Sequence, residues 1–472
     1  MQDLDTNDGS SGSSLNVGRN LYLGGNSGGG GGDATLNVNA GGTVNVDGLL
    51  KLWDDGKVNL NGGTINVTTF DLHDPAEAPQ PDFNFISGTF RYTAGATLNS
   101  ETLDDLLGPG VPTLTANKNL VVTDQAVLSA PVRLNGGTLS VGSVFNNDSS
   151  NLDFDAGTFN LTSANLTVGT GGLFGSAMVV NLNQTVNVTN LATVNAGAEL
   201  TVIGDFSSGG LTNNGDLILI DTTGTGKTIN GTVSNPTGSA VTVVGDITFA
   251  DAVNGGGNFF GPGTAIFAGG FSPGDSPATV TFEGNLTLDP ANTLFIELGG
   301  VTPGLFDRLE VDGLALVDGT LDVSLINGFV PGVGDSFGIL FANGGFGGDF
   351  DTLNLPDLSG LGLDWQINPG GATLFLEVVA ALEGDLNGDG FVGIADLNLV
   401  LGNWNQTIPP GNPLADPSGD NFVGIADLNT VLGNWNAGTP PSATSSNIPE
   451  PATMTLAMSG LLMLTARRKR GV

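Results

Sequence analysis

Between Leu15 and about residue 270, apolar residues alternate with Asn and Thr. Residues 35–46 read Thr-Leu-Asn-Val-Asn-Ala-Gly-Gly-Thr-Val-Asn-Val, and residues 57–67 read Lys-Val-Asn-Leu-Asn-Gly-Gly-Thr-Ile-Asn-Val. Residues 133–141 and 153–161 are variants of the same phrase. A period of two predicts half-buried strands. A Gly-Gly-Thr element or a relative splits each pair of strands. The Thr after the Gly falls at Thr43, Thr64, Thr89, Thr138 and Thr158, with gaps of 21 and 25 between the first three and 20 between the last two. One turn of a coil every 20–25 residues accounts for this spacing. The predicted fold is therefore mainly β: an elongated, parallel β-helix-like solenoid over 15–270 that buries alternate residues and turns on Gly or Asn. An array of β-sandwiches is the alternative.

The pattern changes after residue 270. The turn cluster Phe271-Ser-Pro-Gly-Asp-Ser-Pro277 reads as a boundary. Strands are then expected at Thr279–Phe282, Leu294–Leu298, Leu309–Val311, Thr320–Leu325, Phe337–Phe341 and Thr373–Val379, with a Gly-broken turn at 346–350. Residues 271–380 would be a β-rich closing segment, either the final coils or a small sandwich over the open end. The 15–270 repeats resemble the autotransporter-associated β-strand repeats of bacterial surface proteins.

Residues 383–437 switch to a helical period and contain an internal repeat. Asp389–Asn405 and Asp420–Asn436 match at fifteen of seventeen positions at an offset of 31, so one supersecondary unit is used twice. Leu397, Val400, Leu401 and Trp404 form an i, i+3, i+4, i+7 stripe, repeated by Leu428, Val431, Leu432 and Trp435. A short helix is predicted after each loop, the two packing on each other, with Val392 and Val423 pairing across the loops. Before each helix, oxygen ligands sit at positions 1, 3, 5 and 12 of a calcium loop. They are Asp385, Asn387, Asp389 and Asp396 in the first loop, and Asp416, Ser418, Asp420 and Asp427 in the second. Position 7, Phe391 or Phe422, would give a backbone carbonyl. Position 6, Gly390 or Asn421, needs a residue that accepts positive φ. Ser418 is a poorer ligand than Asn387, so the second of the two Ca²⁺ sites is expected to be weaker.

Two such loops, each followed by one helix and lacking a leading helix, resemble the type I dockerin domain of cellulosomes. That resemblance implies docking to a cohesin-like module on another protein. It also implies that positions 10 and 11 help choose the partner. Here they are Ile394, Ala395, Ile425 and Ala426, where the family often has hydroxyl residues.

Beyond a Gly/Pro/Ser/Thr linker at 438–448, the chain carries Pro449, Glu450 and Pro451, then fifteen largely apolar residues from 452 to 466, then Arg467, Arg468, Lys469 and Arg470. As a C-terminal apolar helix, fifteen residues rise about 22 Å, short of a normal membrane span. The basic cluster would stay cytoplasmic. The tail resembles the PEP-CTERM sorting signal. That implies transient membrane insertion, cleavage near the motif by an exosortase-type enzyme, and release to the cell surface or extracellular matrix. The polar segment 1–14 has no apolar core of a secretory signal, so the export signal is expected to lie outside the sequence as it begins here.

Composition narrows the function. There are 47 acidic and 12 basic residues, a formal charge of -35. Without 449–472, which hold four basic residues and one acidic, 8 basic stand against 46 acidic, or -38. This charge disfavours nucleic acid or an anionic membrane surface as a partner. Cys is absent and there is one His, His73, so thiol chemistry and most His-centred mechanisms are excluded; His73 is expected on a solvated loop. Gly224-Thr-Gly-Lys-Thr228 is an incomplete phosphate loop, with Asp221 at the first Gly position and a strand-like sequence following where a helix is needed. Gly28–Asp33 is expected to be a flexible turn. These features predict an exported non-catalytic surface or matrix protein that docks a partner through calcium. The alternatives are a dockerin-tethered polysaccharide-degrading enzyme (an O-glycosyl hydrolase or lyase) and a carbohydrate-binding adhesin. No carboxylate pair with a motif around it marks the solenoid as a glycosidase.

Overall fold

The computed structural model describes residues 12–73, 82–146 and 151–440. The chain forms two compact units, one from residues 1–357 and 365–378, the other from 358–364 and 379–472.

The first unit is mainly β, solenoid-like, and built from parallel strands. The apolar positions of the sequence phrase stack coil upon coil: Leu15 pairs with Val44, then Ile65, Phe90, Leu120, Leu139, Phe159, Val186 and Phe206 in turn. From Val44 to Val186 these side chains are fully buried. Burial of each contributes about 1.5–3 kcal/mol. The intervening Asn residues point outward and form amide ladders. Asn66 donates to Asn45 at 2.7 Å and Asn45 to Asn16 at 2.6 Å. On a neighbouring strand Asn84 donates to Asn59 and Asn59 to Asn37. A net hydrogen bond of this kind is worth about 1 kcal/mol, so the apolar ladder holds the coils together and the amide ladder keeps them in register.

The Gly-Thr corners stack directly. Thr43, Thr64 and Thr89 are register partners, as are Thr138 and Thr158. At the corner Gly157, φ is +107° and an added Cβ would lie 2.3 Å from the Gly137 carbonyl oxygen, so the neighbouring coil leaves room only for Gly. The coil between Thr89 and Thr138 lacks the signature because Asn117, at φ 69°, takes the left-handed corner and Asn119 occupies the Thr position. This coil is also longer and carries a helix absent from the sequence expectation, α1 (Ser100–Leu107), capped by Asn99, whose side chain accepts from Thr102 N–H at 2.8 Å, and anchored by buried Leu103 and Leu106.

The change of pattern at residue 271 is not a change of architecture. Phe271 pairs in parallel with Val253 on one side and Leu294 on the other. The Pro/Gly cluster after it is one corner between Gly270–Ser272 and Thr279–Phe282, strands of a single coil. Of the two readings of 271–380, the final coils describe the pairing. Residues 346–350, expected as a turn, begin with a strand, Phe346–Gly348, that continues the ladder from Ala315–Val317. Gly348, at φ +82°, sits where an added Cβ would lie 2.1 Å from the Val317 carbonyl oxygen of the preceding coil. Phe249, Phe259, Phe267, Phe271 and Phe282 stack through these coils, with Phe267 and Phe271 centroids 4.4 Å apart. Pairing is antiparallel where Ser336–Phe341 meets Thr373–Glu377, and in a short hairpin between Gly25–Asn26 and Gly29–Gly30.

The second unit contains α2 (Ile394–Gly402) and α3 (Ile425–Gly433), each following an acidic loop. Its core is small: Val392, Val400, Ala415, Val423 and Val431, with Leu397 and Leu428 packed against it. Among the described residues no helix is long and apolar enough to cross a membrane.

Candidate metal centre

The two acidic loops fold alike because the first carboxylate of each organises its own backbone. Asp385 accepts from Gly388 and Asp389 N–H through Oδ1 and from Gly390 N–H through Oδ2, the last at 2.7 Å. Asp416 accepts from Asp420 N–H through Oδ1 and from Asn421 N–H through Oδ2, the latter at 2.8 Å. Position 6 has positive φ in both, 79° at Gly390 and 67° at Asn421. Position 4 does too, at Gly388 and Gly419. That second requirement was missed from sequence, although Gly stands there in both copies.

The carboxylates at position 12 are fully buried. Asp396 takes three backbone N–H groups: Leu386 and Asn387 on Oδ1, and Gly393, the residue that caps α2, on Oδ2. Asp427 takes Ser418 N–H on Oδ1 and Gly424 N–H on Oδ2. Each thus ties its loop to the start of its helix. Burial pushes the Asp427 carboxyl up, but the hydrogen bonds from Gly424 and Ser418 prevail and hold it below the usual range. Asp385 is raised, first by burial, against the pull of the Gly390 and Gly388 N–H groups, with Asp396 and Asp389 adding repulsion.

At positions 3 and 5, Asn387 donates to Asp389 Oδ2 at 2.9 Å and the Ser418 hydroxyl to Asp416 Oδ1 at 3.1 Å. Phe391 and Phe422 donate their N–H groups to Asp389 Oδ1 and Asp420 Oδ1. In the second loop, oxygens of Asp416, Asp420 and Asp427 lie within 4.8 Å of one another. Residues 383–437 hold seven acidic side chains and no Lys, Arg or His. The donor set is all oxygen, the chemistry that suits a hard divalent cation.

The docking candidates occupy equivalent places. Ile394 and Ala395 open α2, Ile425 and Ala426 open α3, and all four are exposed. The predicted helical stripe is only half buried. Val400 and Val431 are in the core, whereas Leu401, Trp404, Leu432 and Trp435 are exposed. The buried face is set by Asp396 and Asp427 in the first turn, so the core runs through position i+4 from each, and the rest of the stripe faces outward. Val392 and Val423 share the core but do not pair with each other. Each pairs with the segment after the helix of the other copy. The sorting residues Pro449, Glu450, Pro451, Arg467, Arg468, Lys469 and Arg470 lie outside the described residues, as does the apolar run between them.

Other candidates resolve differently. Lys227 begins a strand, Lys227–Ser234, so the phosphate-loop fragment has no helix behind it. His73 packs edge-on against Trp53 with centroids 4.7 Å apart, and its Nε2 is 3.6 Å from Asp54 Oδ1. It lies outside the strands, with its side chain 38% exposed and Trp53 as its aromatic neighbour. The glycines 25–30 form a short antiparallel hairpin, and Trp53 Nε1 donates to Asn26 O. No protein-family model matches the chain, and no curated protein matches it.

Proposed function

We propose that this chain is an exported, non-catalytic surface or matrix protein whose β-solenoid is the body and whose repeated loop–helix unit docks a partner through calcium. The observation that carries the reading is the pair of loops with buried, hydrogen-bonded carboxylates and no basic residue to neutralise them. Asp385, Asn387, Asp389 and Asp396 would hold one Ca²⁺, with Asp416, Ser418, Asp420 and Asp427 holding the other, each completed by the carbonyl of Phe391 or Phe422. The cation would supply the charge that lets these loops close. Ile394–Ala395 and Ile425–Ala426 present the same small apolar surface twice, in keeping with a dockerin-like connector and a cohesin-like partner. On the body, the outward Thr and Asn columns favour a scaffold over an active site. Export and processing by an exosortase at Pro449-Glu450-Pro451 rest on the sequence of the tail.

The test is capture of the full chain on an immobilised cohesin-type module. Capture in calcium, release by chelator, and loss in the Ile394→Asp/Ile425→Asp double variant are expected. Capture that ignores both calcium and the double variant would remove the docking reading.

A further inference from the structure

We propose that a cleft on the outer face of the solenoid, between strands Asp205–Asn213 and Lys227–Ser234, is a binding site for a neutral, β-linked oligosaccharide. The site arises where two neighbouring coils part. Ser207 pairs with Asn230, which would set Asp205 beside Thr228 and Gly204 beside Lys227, yet the described pairing of these strands begins only at Ser207. Ahead of that point Lys227–Ile229 pairs onward with Ile247–Phe249. The Lys227 ammonium reaches back to the Gly204 carbonyl at 2.7 Å and so spans the gap that a backbone bond would otherwise close. The resulting cleft measures about 450 Å³, within the range of small-molecule sites.

Its chemistry points to a neutral polyol. The loop 221–226 walls one side and has the N–H-rich turn that elsewhere holds an anion. Here the chain's own Asp221 fills it, accepting from the N–H groups of Thr223, Gly224 and Gly226 and from the Thr223 hydroxyl. With Asp221 in that place and Asp205 at the cleft, a phosphate or a uronate would be repelled. The ammonium of Lys227, also in the lining, is tied to the Gly204 carbonyl, and the other polar groups there, Asn187, Ser207, Thr228 and Asn230, are uncharged. Among the described residues the side chains of Asp205, Thr228 and Asn230 make no hydrogen bond, so their capacity is free for ligand hydroxyls. Leu182, 60% exposed, stands at the rim and offers an apolar surface to the face of a sugar ring.

The cleft also continues a neutral track. Asn187 belongs to the outward column Asn160–Asn187–Ser207, linked by side-chain hydrogen bonds, and the adjoining column holds Thr158 and Thr185. In a chain of charge -35, these two columns give a glycan an uncharged approach that ends at Asp205, the next register partner of Thr185, with hydroxyl and amide groups repeating at the strand spacing of about 4.8 Å.

The experiment is calorimetric titration of the full chain, in chelator, with cellohexaose, xylohexaose, mannohexaose and chitohexaose, and with polygalacturonate as the anionic comparison. Chelator keeps the outcome separate from the calcium reading. Asn230→Ala, Leu182→Asp and Thr228→Val probe the cleft, and Asn45→Ala probes a remote part of the ladder; circular dichroism verifies that each variant is folded. At least one neutral hexasaccharide should bind, with at least a tenfold loss of affinity in the folded cleft variants and none in Asn45→Ala. Binding by none of the four, equal affinity in the cleft variants, or tighter binding of polygalacturonate would overturn the proposal.

Discussion

Asn436 donates its backbone N–H to the carbonyl of Val392 at 3.0 Å, tying the end of the second loop–helix copy to the first loop. The reverse tie is present: Asn405, after α2, donates to the Val423 carbonyl of the second loop at 2.8 Å. Both Asn residues have positive φ, 64° and 65°. Each loop is closed by the other copy, so neither half has a complete core alone. Replacing either Asn by Pro removes the donor and forbids the backbone angle. Asn405→Pro and Asn436→Pro should each destabilise the unit by about 2–4 kcal/mol, and Gly at either place by much less. Urea unfolding followed by Trp404 and Trp435 fluorescence measures this; a tolerated Pro would contradict the cross-closure.

Asp396 has a structural duty apart from any cation. Asp396→Ala leaves the N–H groups of Leu386, Asn387 and Gly393 without their acceptor. A loss of about 2–4 kcal/mol is expected even in chelator. Asp389→Ala removes an exposed carboxylate and should cost under about 1 kcal/mol in chelator. Equal chelator stabilities for the two variants would refute this division of roles.

The corner glycines predict a sharp contrast. Gly157→Ala places a Cβ against the Gly137 carbonyl at positive φ, whereas Gly18 has nothing within 4 Å of the corresponding position and is not at positive φ. Gly157→Ala should destabilise the first unit by several kcal/mol or prevent folding, roughly the scale of strain plus overpacking, read as a lowered thermal midpoint. Gly18→Ala should be near neutral.

Asp307 makes stability depend on pH. It is buried, accepts from the N–H groups of Ala278 and Glu297, and burial pushes its pKa up to about 6 from 3.8. A raised folded pKa favours the protonated form in the fold, so its contribution is complete below about pH 4 and is lost as pH rises through about 6. The size is on the order of 3 kcal/mol. Asp307→Asn cannot titrate. The stability difference between wild type and this variant should therefore shift in favour of the variant between pH 4 and 7. A difference that is constant across that range would contradict the assignment.

The sequence disclosed the repeating parts and concealed the exceptions. Alternation and Gly-Thr spacing located the stacked strands because the same small corner recurs at Thr43, Thr64 and Thr89. The pattern lapsed at Asn117, where Asn stands in for Gly, and at α1, whose Asn99 cap and Leu103/Leu106 face are too short to stand out among strands. The apparent boundary at 271 misled because Pro and Gly mark corners within a coil as strongly as junctions between domains. In the acidic loops, ligand spacing and position 6 were legible one residue at a time. The pairing of Val392 with the far end of the repeat was not, because the near-identical copies give no sign of which segment closes which loop. The cleft at Asp205 and Thr228 depends on a local failure of pairing, which composition does not encode.

The account rests most heavily on calcium at the two loops, and calorimetric titration of the full chain with Ca²⁺ tests it directly. Two ions should bind, with one lost in Asp389→Ala and the other in Asp420→Ala. The far-ultraviolet helix signal of α2 and α3 should also rise on binding. Absence of calcium binding, or binding unchanged in both variants, would contradict the central claim.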